Sequence, residues 1–369
     1  MLDQANLNHA AQVLAAVSTA QRADTALRFY FESHRYLQPP AKRIISHTVF
    51  VYFRWLSWLV PKASPQRRLE QALDLQAAFD ADPASVKPEA LAARAVPAWL
   101  ASEMETPADY LRQLQRDPAL WLRARPGQGT ALAKSLFDCG ETTEHAPDAL
   151  RFTGTQDLFK TEQFKNGEFE IQDLASQFVG HAAAPKPGET WWDACAGEGG
   201  KTLHLADLMQ NKGLIWSSDR NDKRLDTLKR RAARAKLFNY RTALWDGSPK
   251  LPTKGKFDGI LLDAPCSGVG TWQRNPHARW TTTAEDVHEL AVIQRQLLEN
   301  VSGSLKPGGR LIYAVCTLTR SETTAIANDF TSAHAELEPQ PVLGKTPQLT
   351  IWPHEFNANG MFIAAWKKK

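Results

Sequence analysis

Two cysteines in this 369-residue chain stand directly after short apolar, strand-like runs: Cys266 in Asp263-Ala264-Pro265-Cys266 and Cys316 in Tyr313-Ala314-Val315-Cys316. If those runs pair side by side, their ends lie about 5 Å apart and both thiols face one pocket. Such a pair suits pyrimidine chemistry. Carbon 5 of cytosine is a poor nucleophile until a thiolate adds at carbon 6, after which the ring can attack a methyl sulfonium. An acid must steady that adduct near the ring nitrogen, and a base must take the carbon 5 proton so that the thiol can leave. Asp263, Cys316 and Cys266 are the candidates for these tasks. The plain alternative for each cysteine alone is a small packed apolar residue. Cys139 and Cys195 complete no C-x-x-C pair and no metal-ligand spacing with histidine, so neither a metal site nor a disulfide is expected.

A second candidate site is DACAGEGGKT, Asp193 to Thr202: a strand end, a glycine turn and the start of a helix. The dinucleotide fingerprint G-x-G-x-x-G would need glycine at Thr202, and the P-loop would need it at Cys195, so neither is met. What remains is a nucleoside site without a pyrophosphate. Its cradle would be Cys195, Ala196, Gly197, Glu198, Gly199, Gly200 and Lys201. Asp219, 22 residues past Gly197, would accept from ribose hydroxyls, and Asp246 would meet the base. S-adenosylmethionine fits, because its cationic groups suit the carboxylates; on the alternative reading the glycines only turn the chain and cap the helix.

The elements that must position these residues are legible after Gly167. Apolar runs at Thr190–Trp192, Leu214–Ser218, Arg241–Trp245, Gly259–Leu262 and Leu311–Val315 alternate with helical stretches, the pattern of an open parallel sheet covered on both faces. They are followed by Asp193, Asp219, Asp246, Asp263 with Cys266, and Cys316. Ligands bind beyond the carboxyl ends of such strands, so four carboxylates and two thiols would share one rim. Residues 1–114 read instead as helices broken by prolines. Residues 115–166 read as a small mixed segment, with a strand at Leu120–Arg123 and a helix at Thr130–Asp138. The most apolar run, Val49 to Val60, is too short to span a membrane and carries Arg54, so it predicts a buried amphipathic helix. The opening residues lack a secretion signal, which points to the cytoplasm. Net charge is 44 − 40 = +4, and eight of the basic residues lie between Arg220 and Lys236, a mildly basic balance that permits a nucleic-acid partner.

At these residues the chain resembles the Sun-type (Nop/Sun) family of RNA cytosine-5 methyltransferases, from about Trp121 to Lys369. The similar segments are GEFEIQDLASQFV from Gly167, DACAGEGGKT, SSDRNDKRLDTLKRR from Ser217, LLDAPCSGVGTWQRNP from Leu261, LKPGGRLIYAVCTLTRSE from Leu305 and WPHEFNANGMFIA from Trp352. The resemblance implies a Rossmann-like class I S-adenosylmethionine-dependent methyltransferase sheet over 167–369, with an all-helical N-terminal domain over 1–114 and a small α+β RNA-contacting segment over 115–166. It implies Cys316 as the nucleophile, Cys266 as the residue that assists proton loss or product release, and Asp263 beside the activated cytosine. The cofactor would be held by Cys195 to Lys201, Asp219, Asp246 and Asp263. The helices around PPAKRIISHTVFVYFRWLSWL resemble the NusB-like domain of the RsmB-like bacterial branch, which implies a ribosomal RNA substrate, with tRNA as the alternative; nothing in the sequence requires more than a monomer.

The chain departs from the family pattern at YAVCT for YSTCS, Glu198 for proline, RARP (Arg123–Pro126) for RVN, and Asn359 for aspartate. The first departure removes two hydroxyls beside Cys316. A competing reading is a non-catalytic RNA-binding assembly factor on the same fold. Amine methylation fits poorly, because Asp263-Ala264-Pro265-Cys266 lacks the Asp/Asn-Pro-Pro-aromatic strand end. A DNA cytosine enzyme would use the Pro-Cys thiol as its nucleophile.

Overall fold

The computed structural model describes residues 3–140 and 146–369; residues 1–2 of the opening segment and 141–145 of the connecting segment lie outside the described residues. The chain divides into two compact units, Met1–Pro118 with Thr271–Ala284, and Ala119–Gly270 with Glu285–Lys369.

The first unit is helical. Its longer helices are Gln4–Ala16, Ala23–Ser33, Pro39–Arg54 and Pro65–Ala81. Proline occupies the first turn of the last two, where its missing N–H costs no helical bond. The apolar run predicted as one helix divides: the α-helix stops at Arg54 and a single 3-10 turn covers Leu56–Trp58. Arg54 can sit inside this apolar stretch because its guanidinium, 1% exposed, donates to Gln76 Oε1 at 2.7 Å and to Asp117 Oδ1 at 2.6 Å. A buried cation needs such partners. Thr271–Ala284 completes this unit: Arg279 donates to the carbonyls of Ala95 (3.0 Å) and Leu114 (2.9 Å), and the Trp280 indole donates to Phe53 O (2.7 Å).

The second unit holds two sheets. The smaller consists of β1 (Leu120–Ala124), β2 (Cys139–Gly140), β3 (Ala149–Phe152) and β4 (Phe169–Ile171), antiparallel in the order β2-β3-β1-β4. The larger consists of β5 (Thr190–Asp193), β6 (Leu214–Asp219), β7 (Tyr240–Leu244), β8 (Phe257–Asp263), β9 (Leu305–Val315), β10 (Leu337–Pro339), β11 (Gln348–Ile351) and β12 (Met361–Lys368). Its order is β10-β12-β9-β8-β5-β6-β7, with β11 on β12. Strands β5 to β9 are mutually parallel, and β12 inserts antiparallel beside β9. This is the expected Rossmann-like α/β sheet, and its strand order reverses between β5 and β8.

The core forms two layers because successive strand residues alternate faces. Trp191, Ile215, Leu261, Ile312 and Ala314 pack against Phe178 and Leu203 on one face. Trp192, Ile260, Leu262, Tyr313 and Val315 pack against Leu298 and Phe330 on the other. Strand β9 begins six residues earlier than the predicted Leu311 start. Its Lys306-Pro307-Gly308-Gly309 stretch reads as a turn but forms an irregularity in the ladder, where register moves from Phe257↔Leu305 to Gly259↔Arg310.

Candidate active site

The β5–β8 reversal puts the carboxyl ends of both strands beside one crevice, the place where open α/β sheets take ligands. Strand β5 delivers Asp193 and the loop that follows it. Gly199 has φ +85°, and a Cβ there would stand 2.5 Å from Leu228 Cγ, so only glycine lets the loop turn into the helix Gly200–Leu208. Asp219, at the end of β6, is buried; its Oδ2 accepts from Gly197 N at 3.0 Å and its Oδ1 from Asn221 N at 2.9 Å. The two predicted cofactor elements are thereby tied together, and the space above Gly197 is open.

Asp193 is fully buried and accepts from Thr202 Oγ1 at 2.6 Å. Burial, reinforced by the charges of Asp263 and Asp219, pushes its carboxyl up to about 7 against the pull of Thr202 and Lys201. Its Oδ1 has no hydrogen-bond partner among the described residues. Burial also pushes the half-buried Cys195 thiol up, with Asp193, Asp263 and Asp219 adding to the effect. Asp246 follows β7, is exposed, and accepts from Ser248 N at 3.0 Å; it flanks the cluster, since Trp245 N donates to Asp219 O at 3.1 Å.

Asp263, at the end of β8, accepts from Lys201 Nζ at 2.7 Å. Burial pulls the Lys201 ammonium down, but Asp263, with a further contribution from Cys316, outweighs it and holds Lys201 above its ordinary value. The pair joins the glycine-loop helix to the thiols. Strands β8 and β9 run in parallel register with Asp263 opposite Ala314, so Cys266 and Cys316 leave adjacent strand ends, and their sulfurs stand 3.4 Å apart. Neither cysteine is in a disulfide. The bond to Cys316, then burial, holds the Cys266 thiol well above its usual range.

Backbone contacts fix the loops that carry these thiols. Gly270 N donates to Cys316 O at 3.1 Å, and Gly360 N donates to Gly270 O at 2.7 Å. A Cβ on Gly270 would stand 2.2 Å from Gly360 O, which is why glycine is required there. Gly270, Cys316 and Gly360, far apart in the sequence, thus meet in one place. Two departures from the family pattern lose their sting. Ala314 and Val315 point into the two apolar layers, and Asn359 uses its backbone N–H on Asp173 at 3.1 Å.

Two further features were not singled out from the sequence as parts of the site. Glu322, fully buried, accepts hydrogen bonds from residues of both cysteine loops. Part of the basic stretch is committed within the fold: Arg231 and Arg234 pair with buried Glu170 at 2.9 and 2.5 Å. Arg125, of the RARP departure, pairs with Asp207 at 2.7 Å. Arg220, Lys223, Arg230 and Lys236 remain exposed.

The family model described as 16S rRNA methyltransferase RsmB/F matches residues 181–367. A probable ribosomal RNA small subunit methyltransferase B of Synechocystis sp. is 34% identical over 290 residues, covering 73% of this chain and 64% of that protein. Its counterpart in Bacillus subtilis is 34% identical over 272 residues, covering 70% and 59%. The matched region therefore spans about three-fifths of each relative's length. A methyltransferase homolog protein from Pyrococcus horikoshii superposes with a TM-score of 0.61 at 26% identity, over 71% of this chain and 90% of its own. A further solved structure, 22% identical, shares the fold over 100% of this chain and 99% of its own, with a TM-score of 0.80.

Proposed function

The chain belongs to the 16S rRNA methyltransferase RsmB/F family, and from that premise we propose that it transfers a methyl group to carbon 5 of a cytosine in ribosomal RNA through a covalent adduct on Cys316. The observation that carries this reading is the pair of thiols 3.4 Å apart at adjacent strand ends, beside the Lys201–Asp263 pair. A methyltransferase acting on an exocyclic amine has no need of such a pair.

The residues at the β5–β6 rim fit S-adenosylmethionine. Cys195 to Lys201 and Asp219 line an open turn, and the unpartnered Asp193 Oδ1 is a buried acceptor suited to a cationic ligand. Asp246 would flank the adenine. When bound, this cofactor supplies an electrophilic methyl group.

Cys316, as thiolate, adds to carbon 6 of the cytosine, and the ring's electron pair moves to carbon 5. Lys201 stabilises the Cys316 anion, while Asp263, oriented by Lys201, holds the ring nitrogen side of the base. After carbon 5 has been methylated, the Cys266 thiol gives its own proton to solvent water and, as thiolate, takes the carbon 5 proton. The ring double bond re-forms and Cys316 departs as thiolate. The raised Cys266 thiol suits the role of base, since a thiol that is hard to ionise is, once ionised, the stronger base. The target base must be unpaired or flipped out to reach this crevice. The exposed Arg220, Lys223 and Arg230 supply contacts to phosphates that do not read sequence.

The test is transfer of labelled methyl from S-adenosylmethionine to total RNA from cells lacking this protein, followed by mapping of the modified position. A single 5-methylcytosine in small-subunit ribosomal RNA, absent with Cys316→Ala, is the expected outcome. Label on an exocyclic amine would overturn the chemistry, and label confined to tRNA would overturn the substrate.

A further inference from the structure

We propose that Glu322 is a positioning residue whose buried carboxylate holds the two cysteine loops in register; the inference rests on the covalent reading above. Glu322 is fully buried and lies six residues past Cys316, in the 3-10 turn Arg320–Glu322. Its Oε1 accepts from Ser267 N and from Gln294 Nε2, each at 2.9 Å. Its Oε2 accepts from Ser267 Oγ at 2.5 Å, Thr319 Oγ1 at 2.8 Å and Thr317 Oγ1 at 3.2 Å.

Ser267 directly follows Cys266, and Thr317 directly follows Cys316. One carboxylate therefore grips the residue after each thiol. Gln294 extends the grip, donating to Pro265 O at 2.8 Å on the other side of Cys266. The Tyr313 hydroxyl braces the turn from β9 by donating to Glu322 O at 2.7 Å.

The physical reason is one of supply. An ionised carboxylate accepts only, and burying it without donors is costly, so the donors of both loops must converge on it. Bonds to a charged acceptor are roughly twice as strong as neutral ones. Convergence on one point fixes the separation of the two backbones, and with it the separation of their sulfurs.

The test uses the full chain and a readout that needs neither RNA nor cofactor. Diamide converts Cys266 and Cys316 to a disulfide: the two thiols give up two protons and two electrons, which its azo bond takes up to become a hydrazine. The bridging rate is followed by peptide mapping, beside kcat and KM for RNA methylation and a thermal melt. Glu322→Gln puts an amide N–H₂ among donors, and we expect bridging and kcat to fall by about 100-fold while KM stays level, the scale of a 1 Å misplacement. Ser267→Ala removes one strut without disturbing the core and should give a smaller fall of the same kind. Glu322→Asp, which restores the acceptors on a shorter arm, should recover part of the loss.

Parental bridging and parental kcat in folded Glu322→Gln would overturn the proposal, and if that variant does not fold, the same result in Ser267→Ala would do so. Slow bridging in the variants of a protein that methylates no RNA would uphold the positioning role and defeat the covalent reading. Intact methylation with unaltered bridging would do the reverse.

Discussion

At the level of single residues, burial has moved the charges that the proposed chemistry needs. The Asp193 carboxyl, pushed up to about 7, is neutral in the folded protein below that pH. A raised acid stabilises the fold below its ordinary value and loses that contribution as pH rises through the folded one. Binding of a cation runs the other way, since it needs the ionised form. S-adenosylmethionine affinity should therefore rise as pH passes upward through about 7, and Asp193→Asn should flatten the rise; calorimetry on either side of neutrality checks this, and a flat parental profile would refute it. Lys201→Met removes the cation that faces Asp263 and Cys316. We expect kcat to fall about 100-fold, the usual loss for one preorganised electrostatic partner, with RNA affinity largely kept. Single-turnover kinetics with a filter-binding control would measure both.

The elements explain what was legible in the sequence. Strands β8 and β9 are buried on both faces and read as continuous apolar runs, so their ends, with Asp263, Cys266 and Cys316, could be placed from sequence alone. The start of β9 could not, because Pro307-Gly308-Gly309 carries turn chemistry inside a strand. Glu322 was also hidden: 55 positions separate it from Ser267, and no local pattern announces that pairing. The basic helix Asp222–Arg234 read as one charged face, yet Glu170 on β4 claims two of its arginines, a partnership set by tertiary packing. Burial raises the Glu170 carboxyl, but Arg231 and Arg234 prevail and hold it below the ordinary 4.5. A lowered acid stabilises the fold above its ordinary value and loses that contribution as pH falls through the folded one. Glu170→Gln should thus cost about 2–3 kcal/mol at neutral pH, discounted from a fully buried pair because both arginines are partly exposed, and the difference from parent should shrink in acid. Urea melts across the acid range would show it. Gly199→Ala, with a positive φ and Leu228 in the way, should cost about 1–3 kcal/mol and weaken cofactor binding in the same preparation.

For the whole molecule, the helical unit is assembled from two stretches of chain. Residues 1–118 alone lack Arg279, whose guanidinium satisfies the carbonyls of Ala95 and Leu114, and Trp280, which packs on that unit's core. A fragment ending at Pro118 should therefore melt at lower temperature and less cooperatively than one that carries Thr271–Ala284 on a flexible linker, and equal melts by circular dichroism would contradict this division. The proposed site residues Cys195 to Lys201, Asp219, Asp246, Asp263, Cys266 and Cys316 lie, by contrast, in the second unit, and the central claim about them is a division of labour between two sulfurs. The direct test is denaturing electrophoresis of RNA–protein adducts formed with S-adenosylmethionine and substrate RNA by the parent, Cys316→Ala and Cys266→Ser. An adduct that accumulates with Cys266→Ser and vanishes with Cys316→Ala is the predicted result; an adduct that survives loss of Cys316 and vanishes with loss of Cys266 would contradict the assignment.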